Sequence, residues 1–496
     1  MSEVEKHQPC ESGYEVRLEK LSQLRKMGVL PYAYHYKRTH TTQEVIEGFE
    51  ELSQSQTQVS VAGRLISRRI HGKTQFGHIQ DEKGKVQVYF RQDTLGTEVF
   101  KMLELLDIGD ILGLRGEVFK TKTGEITIHI REWRLLAKSL RPLPEKFHGL
   151  RDIETRYRQR YLDLLVNQES KQVFLLRFKI VRLLQNFLDS RGFIEVETPI
   201  LQPIYGGAAA RPFQTYYNVL EKEFFLRISD ELYLKRLIVG GLEKVYEIGK
   251  DFRNEGLDRF HNPEFTQLEL YQAYADYQDM MGLVEEMFKF LALGLYQRTE
   301  IDFAGQKIDF GKPWQRLRFV EALEEKLGVN PLELQDEELY KIATRSGIEI
   351  NPKTSRAKVL DKLFSELVQD KIVQPTFVID HPKETTPLAK SHRDNPRLVE
   401  RFEPVVCGME LGNAFSELND PLEQRVRFEE GMKRQEEFAT LDEDYCLALE
   451  YGMPPTGGLG IGIDRLVMLF TNQDSIRDVI LFPQLKTESR RQSADR

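Results

Sequence analysis

Residues 244–271 carry the pattern that decides the fold: Lys244-Val-Tyr-Glu-Ile-Gly-Lys-Asp-Phe-Arg-Asn-Glu255, a loop over 256–264 holding Asn262 and Pro263, then Phe265-Thr-Gln-Leu-Glu-Leu-Tyr271. Successive side chains of a strand point to opposite faces. Leu268 and Leu270 therefore point one way, and Phe265, Gln267, Glu269 and Tyr271 the other. The same alternation places Arg253 and Glu255 together in the first half. Two such runs joined by turn-forming residues predict an antiparallel hairpin. A strand anchored by leucines and charged on its other side is either a solvent-exposed sheet face with cross-strand ion pairs or the wall of a polar pocket. Aromatic rings among the charges favour the pocket.

Downstream lies Gly457-Gly-Leu-Gly-Ile-Gly-Ile-Asp-Arg-Leu-Val-Met-Leu-Phe470. Glycines let a backbone approach another group closely. Arg465 falls in the first turn of the helix that follows, the end that prefers anions. Its presence there makes sense beside a phosphate, which guanidinium and helix terminus would hold together. The other reading is a glycine-rich turn into a core helix. Two shorter signals are false. His71-Gly-Lys-Thr74 lacks the glycine a phosphate-binding loop needs at 67, where Ser67 stands, and Gly458, Gly460 and Gly462 lack the further glycine of a dinucleotide fingerprint at 465.

Upstream, Val173, Leu176, Ile180, Leu184 and Phe187 share one helical face, Gly192 ends that helix, and Phe193–Val196 reads as a strand ending before Pro199. Residues 315–370 read as a helical insertion that includes Val320–Leu327 and Arg356–Gln369. Nearer the start, Tyr14–Met27 is helical until Gly28 and Pro31. Strand-like runs then recur at Val59–Ile66, Phe76–Gln80, Val86–Phe90, Ile111–Phe119 and Ile126–Ile130, with a helix over Thr97–Leu106 between the third and fourth. That spacing predicts a small five-stranded barrel. The expected division is a helical extension over 1–54, a barrel over 55–140, a linker over 141–165 and a larger α+β domain over 166–490.

The net charge of −8 does not by itself indicate a nucleic-acid binder. Residues 55–140, however, hold 14 Lys+Arg against 10 Asp+Glu, so a locally basic module sits on an acidic chain. Such a module either holds RNA or is a solvated face. Cys10, Cys407 and Cys446 form no paired spacing, so neither a zinc knuckle nor a disulfide framework is expected. No apolar run approaches the ~20 residues of a membrane span. The charged start, Met1-Ser-Glu-Val-Glu-Lys, is no secretory signal. No membrane association and a cytoplasmic address are expected.

Together these segments resemble the class II aminoacyl-tRNA synthetases. The helix and strand ending at Pro199 match the first motif of that family, Phe252-Arg-Asn-Glu255 lies in its second, and Gly458-Leu-Gly-Ile-Gly-Ile-Asp-Arg465 is its third. The short signatures of the class I enzymes are absent. Gly206-Gly-Ala-Ala-Ala-Arg-Pro-Phe213, Glu231-Leu-Tyr-Leu-Lys-Arg236, Ala273-Tyr-Ala-Asp276 and Asn413-Ala-Phe-Ser-Glu-Leu-Asn-Asp420 resemble the lysyl enzymes in particular. So does Arg141-Pro-Leu-Pro-Glu-Lys-Phe-His-Gly149 leading into Tyr157-Arg-Gln-Arg-Tyr-Leu-Asp163.

The resemblance implies an anticodon-binding OB-fold barrel joined to an antiparallel sheet flanked by helices, usually as a homodimer. It implies ATP, L-lysine and tRNA-Lys as partners and Mg2+ as cofactor. On it, Arg253 grips the α-phosphate of ATP, Arg465 holds the far phosphates, and Phe265 stacks on adenine with Glu255 and His261 nearby. Glu403 and Glu410 carry the metal. Gly207, Glu231, Glu269, Tyr271, Asn413, Phe415 and Glu417 enclose lysine, and Arg69, Phe76 and Gln87 meet the anticodon. Strand parity alone would turn Glu410 away from Asn413 and Glu417, and a bulge at Gly412 would reconcile them. Phe76 is otherwise barrel core. Three competing functions share parts of the pattern: an aspartyl or asparaginyl enzyme, a relative that attaches an amino acid to a protein, and an inactive RNA-binding module.

Overall fold

The computed structural model describes residues 11–144, 150, 152–351, 354–433 and 440–486. Cys10 and residues 487–490, which the expected domain limits include, lie outside them. The chain forms two compact units that divide between Gly149 and Leu150.

The first unit is a closed barrel of β1 (Gln58–His71), β2 (Thr74–Gln80), β3 (Lys85–Arg91), β4 (Ile111–Lys120) and β5 (Ile126–Ala137), in the order β1-β2-β3-β5-β4. Alternation fills it: Val59, Val61, Leu65, Ile79, Val86, Val88, Leu112, Leu114, Ile128 and Ile130 are buried in one cluster. Leu24, Val45 and Leu52 of the helices Glu11–Lys26, Thr42–Glu47 and Phe49–Gln54 join that cluster. The described helices of the extension expected over 1–54 thus share the barrel core. Gly72 and Lys73 make the turn between β1 and β2, with Gly72 at φ 57°, so the loop-like His71-Gly-Lys-Thr74 is a hairpin turn.

In the second unit the expected linker over 141–165 is corrected. Its latter part folds as the helices Ile153–Arg158 and Arg160–Val166, held by buried Arg160, which pairs with Asp163 at 2.6 Å and donates to the carbonyl of Leu481. The central sheet contains β6 (Ile194–Glu195), β7 (Lys244–Phe252), β8 (Glu264–Ala273), β9 (Gln315–Arg318), β10 (Thr376–Pro382), β11 (Leu398–Val406), β12 (Gly412–Ser416) and β13 (Thr456–Gly462). Their order is β9-β10-β11-β12-β13-β8-β7-β6. The interior pairings are antiparallel, whereas β9 with β10 and β6 with β7 run parallel, so the sheet is mixed at its two margins. Residues 315–318, expected in the helical insertion, are instead this marginal strand, and the insertion's helices are Phe319–Leu327, Asp336–Arg345 and Arg356–Leu367.

One face of the sheet is covered by the helices Gln168–Asp189, Tyr277–Tyr296 and Ile463–Thr471. Their Ile180, Leu184, Val284, Phe288, Leu466 and Val467 pack with Leu268, Leu270, Leu459 and Ile461 from the strands. At ~25 cal/mol per Å2 of apolar surface, this continuous layer is the main source of cohesion. The opposite face carries the polar side chains of β8, and there the sheet opens into a cavity.

Candidate active site

The cavity has a volume of about 1250 Å3 and is lined by, among others, Arg253, Phe265, Glu269, Glu417 and Arg465. Its floor follows from the hairpin. β7 and β8 pair antiparallel with Glu247 opposite Glu269 and Asp251 opposite Phe265. Leu268 and Leu270 are fully buried beneath, so Phe265, Gln267, Glu269 and Tyr271 line the wall together. Strand β7 ends at Phe252, which corrects the expectation that alternation pairs Arg253 with Glu255. Both belong to the loop, and Glu255 is exposed. Arg253 nonetheless reaches the wall, its guanidinium 5.0 Å from the centre of the Phe265 ring.

The glycines of β13 make room for this wall. Gly460 lies opposite Glu269 and Gly458 opposite Tyr271. A methyl group at Gly460 would collide with the Glu269 carboxylate, and one at Gly458 with the Tyr271 ring and Glu417 Oε1. Beyond β13, Asp464 accepts from the Thr266 backbone at 2.7 Å and pairs with Arg177 at 2.6 Å. The first turn of helix Ile463–Thr471 is thereby pinned, and Arg465 points into the cavity. Arg465 donates to the Glu410 carbonyl at 2.7 Å and meets His261 Nε2 at 3.2 Å. Arginine only donates, so that nitrogen accepts, and the His261 proton sits on Nδ1 facing Asp258 Oδ2 at 2.7 Å.

Glu410 reaches the cavity through a shift of register, and Glu403 lies near it. Met409–Glu410 pairs with β11 as Val405 opposite Glu410, but β12 pairs as Phe402 opposite Ala414, one residue out of step. The extra residue falls at Leu411–Gly412, and Glu410 lines the cavity with Asn413, Phe415 and Glu417. Burial and the nearby Glu403 push the Glu410 carboxyl up. Arg401, which the sequence does not single out, holds Glu403 at 2.6 Å and donates to Asn413 Oδ1 at 2.8 Å. Among the described residues no group of three or more His, Cys, Asp or Glu is set to hold a metal ion by itself. Two adjacent carboxylates still suit Mg2+, which commonly takes one or two carboxylates and completes its shell from phosphates and water.

At the other end, Gly207 turns at φ 84° against Ser229 and Glu231. Glu231 opens helix Glu231–Val239, and one turn on stands Lys235, another residue that composition and spacing do not expose. Its ammonium lies 2.6 Å from Glu231 Oε1 and also contacts Glu417 Oε2. Burial holds the carboxyls of Glu231 and Glu417 above the usual carboxylate range, Glu417 well above it, and Lys235 opposes part of that rise at both. Burial, Glu231 and Asp251 push Glu269 well above the usual carboxylate range. Glu269 accepts from Tyr271 at 3.0 Å and Gln267 at 2.5 Å.

In the first unit the register forms a rung on the outer face of the barrel: Arg69 opposite Phe76, Phe76 opposite Tyr89, Tyr89 opposite His129. Phe76 is half-buried and stacks on Tyr89 with ring centres 4.4 Å apart, so it is not barrel core. Gln87 lies on the next rung, donating to Glu125 at 2.6 Å and accepting from Thr127 at 2.7 Å. Tyr89 and Glu125 had no signal in the sequence, because a barrel places them beside Phe76 and Gln87 only once it closes.

Residues 152–486 match the family model of class II tRNA synthetases (D, K and N), and residues 59–136 match that of the OB-fold nucleic-acid-binding domain. A sheet with this hairpin, a glycine-lined strand and an arginine at the head of the next helix is the catalytic domain of that class, and the chain belongs to the class II tRNA synthetases. The lysine–tRNA ligase of Carboxydothermus hydrogenoformans is 53% identical, covering 97% of this chain and 99% of the relative. That of Roseiflexus castenholzii is 54% identical over 95% and 98%, and that of Thermosipho africanus 50% identical over 95% of each. Within the class, the chain is a member of the lysine–tRNA ligase family.

Proposed function

We propose that the cavity binds ATP and L-lysine side by side, forms lysyl-adenylate, and passes the lysyl group to the 3′ end of tRNA-Lys. One observation carries this reading: a single cavity joins an Arg253–Phe265–Arg465 end to an end walled by three buried carboxylates, Glu231, Glu269 and Glu417. Cationic groups beside an aromatic ring suit a nucleotide triphosphate. Three carboxylates around aromatic walls suit an amino acid with two ammonium groups and disfavour an acidic or amide side chain. Phe265 stacks on adenine with Glu255 and His261 at its rim. Gly207, Asn413, Phe415 and Tyr271 enclose the lysine.

In the first step a lysine carboxylate oxygen bonds to the α-phosphorus as the bond to the pyrophosphate oxygen breaks. Both reactants are anions, so Arg253 at the α-phosphate and Arg465 at the far phosphates neutralise repulsion and hold them in line. Mg2+, held by Glu403 and Glu410, would neutralise further phosphate charge. In the second step a terminal ribose hydroxyl takes the acyl group and AMP leaves. ATP–pyrophosphate exchange across a panel of amino acids tests the reading: lysine drives exchange, and aspartate and asparagine do not. Exchange driven by another amino acid, or by none, would overturn it.

Lysine binding releases a proton. The empty site favours neutral Glu269, and an ammonium beside it favours the anion. Glu269 lies between Phe265 and Tyr271 along β8, nearer the nucleotide end than Glu417, so its partner is the α-ammonium of lysine. Affinity therefore weakens as pH falls and strengthens as pH rises until Glu269 ionises without help. Calorimetric titration with lysine in two buffers of different ionisation enthalpy reads the release, and equal heats in both would refute it.

The outer rung of the barrel meets the anticodon, with Phe76 stacking on a base and Arg69 and Gln87 beside it. Stacking contributes ~1–3 kcal/mol per base, so Phe76→Ala weakens charging at limiting tRNA by roughly tenfold or more. The adenylation residues all belong to the other unit, so tRNA-independent exchange persists. The melting temperature changes little, because Phe76 faces outward. Undiminished charging by a stable variant would remove Phe76 from the anticodon site. The exposed Leu175 and Phe178 on helix Gln168–Asp189, with exposed Ile194 and Leu201 close behind in sequence, support a homodimer through this first motif. Light scattering is expected to give twice the 57.9 kDa chain mass. Among the described residues no helix is long and apolar enough to cross a membrane, and a cytoplasmic setting accords with the reading.

A further inference from the structure

A lysine on a helix ordinarily keeps its ammonium in water. Lys235 does the opposite. It is fully buried, with its ammonium between Glu231 on its own helix and Glu417 at the end of β12, 5.3 Å from the Phe415 ring and 5.8 Å from the Tyr271 ring. Tyr445 faces it from helix Glu443–Glu450. Burial works against the ammonium, but Glu231 and Glu417 more than offset it and hold Lys235 charged. The second oxygen of Glu417 lies against Gly458 on the cavity wall.

This placement has a consequence for the pocket. Without Lys235, two buried carboxylates would face each other with no cation between them. Such a pair does not stay doubly ionised; one member holds a proton. We propose that Lys235 is a specificity-determining positioning residue, whose ammonium is the resident countercharge of Glu231 and Glu417 and leaves one oxygen of Glu417 free for the side-chain ammonium of the substrate. The proposal rests on the reading of this cavity as a lysine pocket. It also accounts for the charge balance. Once lysine has bound and Glu269 has given up its proton, three carboxylates less one resident ammonium leave two negative charges, matching the two ammonium groups of lysine. An amino acid with an uncharged side chain leaves a buried carboxylate unmatched, which is costly. Lys235 therefore does not compete with the substrate; it sets the charge that the substrate must complete.

Lys235→Met tests this with lysine and ATP Michaelis constants from pyrophosphate exchange, measured from mildly acidic to mildly alkaline pH. In the variant a proton takes the place of the ammonium, and lysine must displace it. At neutral pH the lysine constant rises by about tenfold for each unit by which the shared carboxyl titrates above the working pH. The ratio of variant to wild type shrinks as pH rises, beyond any dependence the wild type owes to Glu269, and the ATP constant stays within about twofold. Lys235→Arg, which keeps the charge, gives a ratio flat in pH. Should Lys235→Met not fold, Lys235→Gln carries the same test, because it donates to both carboxylates without a charge. A ratio near one, a raised ratio flat in pH, or lysine and ATP constants rising together would overturn the proposal. A wild-type chain that does not exchange pyrophosphate with lysine overturns the pocket itself, an outcome read without any variant.

Discussion

Arg253→Ala forms adenylate about 100–1000-fold more slowly than the parent at saturating substrates, while its ATP affinity falls far less. Arg253 follows directly on the end of β7. Phe252 is the last paired residue, and the chain turns so that the Arg253 guanidinium lies 5.0 Å from the Phe265 ring. Among the described residues its guanidinium makes one hydrogen bond, a long contact from Nε to the Ile228 carbonyl at 3.4 Å. Its terminal nitrogens are thus available to a phosphate on the cavity side. Charge on the α-phosphate oxygens grows in the transition state, and a donor aimed there stabilises that state more than the ground state. On the proposed reading ATP retains Arg465 and Phe265, so binding survives. Pre-steady-state adenylate formation reads the effect. The alternative is that Arg253 only balances Asp251, whose carboxyl burial pushes up to about 6 against the pull of Arg227 and Arg253. In that case formation slows by less than about fivefold, the scale of a minor loss of transition-state contact.

How far the site is legible in the sequence depends on whether a residue's partner is local. Leu268 and Leu270 against Glu269 and Tyr271 betray a strand with one buried and one polar side, because alternation is a property of the strand alone. Arg465 is legible for a similar reason, since a cation in a first helical turn is out of place without an anion. Arg253 is legible as a residue but not in its setting: the strand stops one residue earlier than alternation assumes. The parity conflict at Glu410 is visible in advance, and the one-residue shift at Leu411–Gly412 resolves it. Lys235 is not legible. On helix Glu231–Val239 it reads as an ordinary i,i+4 partner of Glu231 on a solvated face. Only the fold brings Glu417 from β12 to its other side. Arg401 escapes for a related reason: Glu403 stands two residues on along β11, but Asn413 lies across a strand pairing that the sequence does not announce. In the barrel, Phe76 alone cannot be sorted between core and surface, and Gln75, buried beside it, decides the matter against the usual preference of glutamine.

Glu417→Gln raises the Michaelis constant for lysine by about ten- to a hundredfold in the exchange assay, with the ATP constant little changed. A charge-assisted hydrogen bond contributes ~1.5–3 kcal/mol, and ~1.4 kcal/mol is tenfold in affinity, which sets that range. Glu417 is 1% exposed and sits at the end of β12 beyond Asn413 and Phe415, farthest from the nucleotide end. On the proposed reading, a lysine whose carboxylate meets Arg253 extends its side chain toward Glu417, and its ε-ammonium completes the pair that Lys235 leaves half open. The amide has the same shape but no charge, so steric fit is kept and electrostatic fit is lost. The substitution also removes one partner of the buried Lys235 ammonium, and breaking a buried pair costs ~3–5 kcal/mol of stability. Glu231 remains at 2.6 Å to hold that ammonium, so the chain folds with a lowered melting temperature. Stability and selectivity therefore separate: the melting temperature reports the lost contact to Lys235, and the lysine constant reports the lost contact to substrate. The Glu417→Gln defect is also indifferent to pH, because an amide has no proton to lose, whereas that of Lys235→Met fades as pH rises. A lysine constant equal to the parent's in a folded Glu417→Gln chain would place the ε-ammonium elsewhere in the cavity.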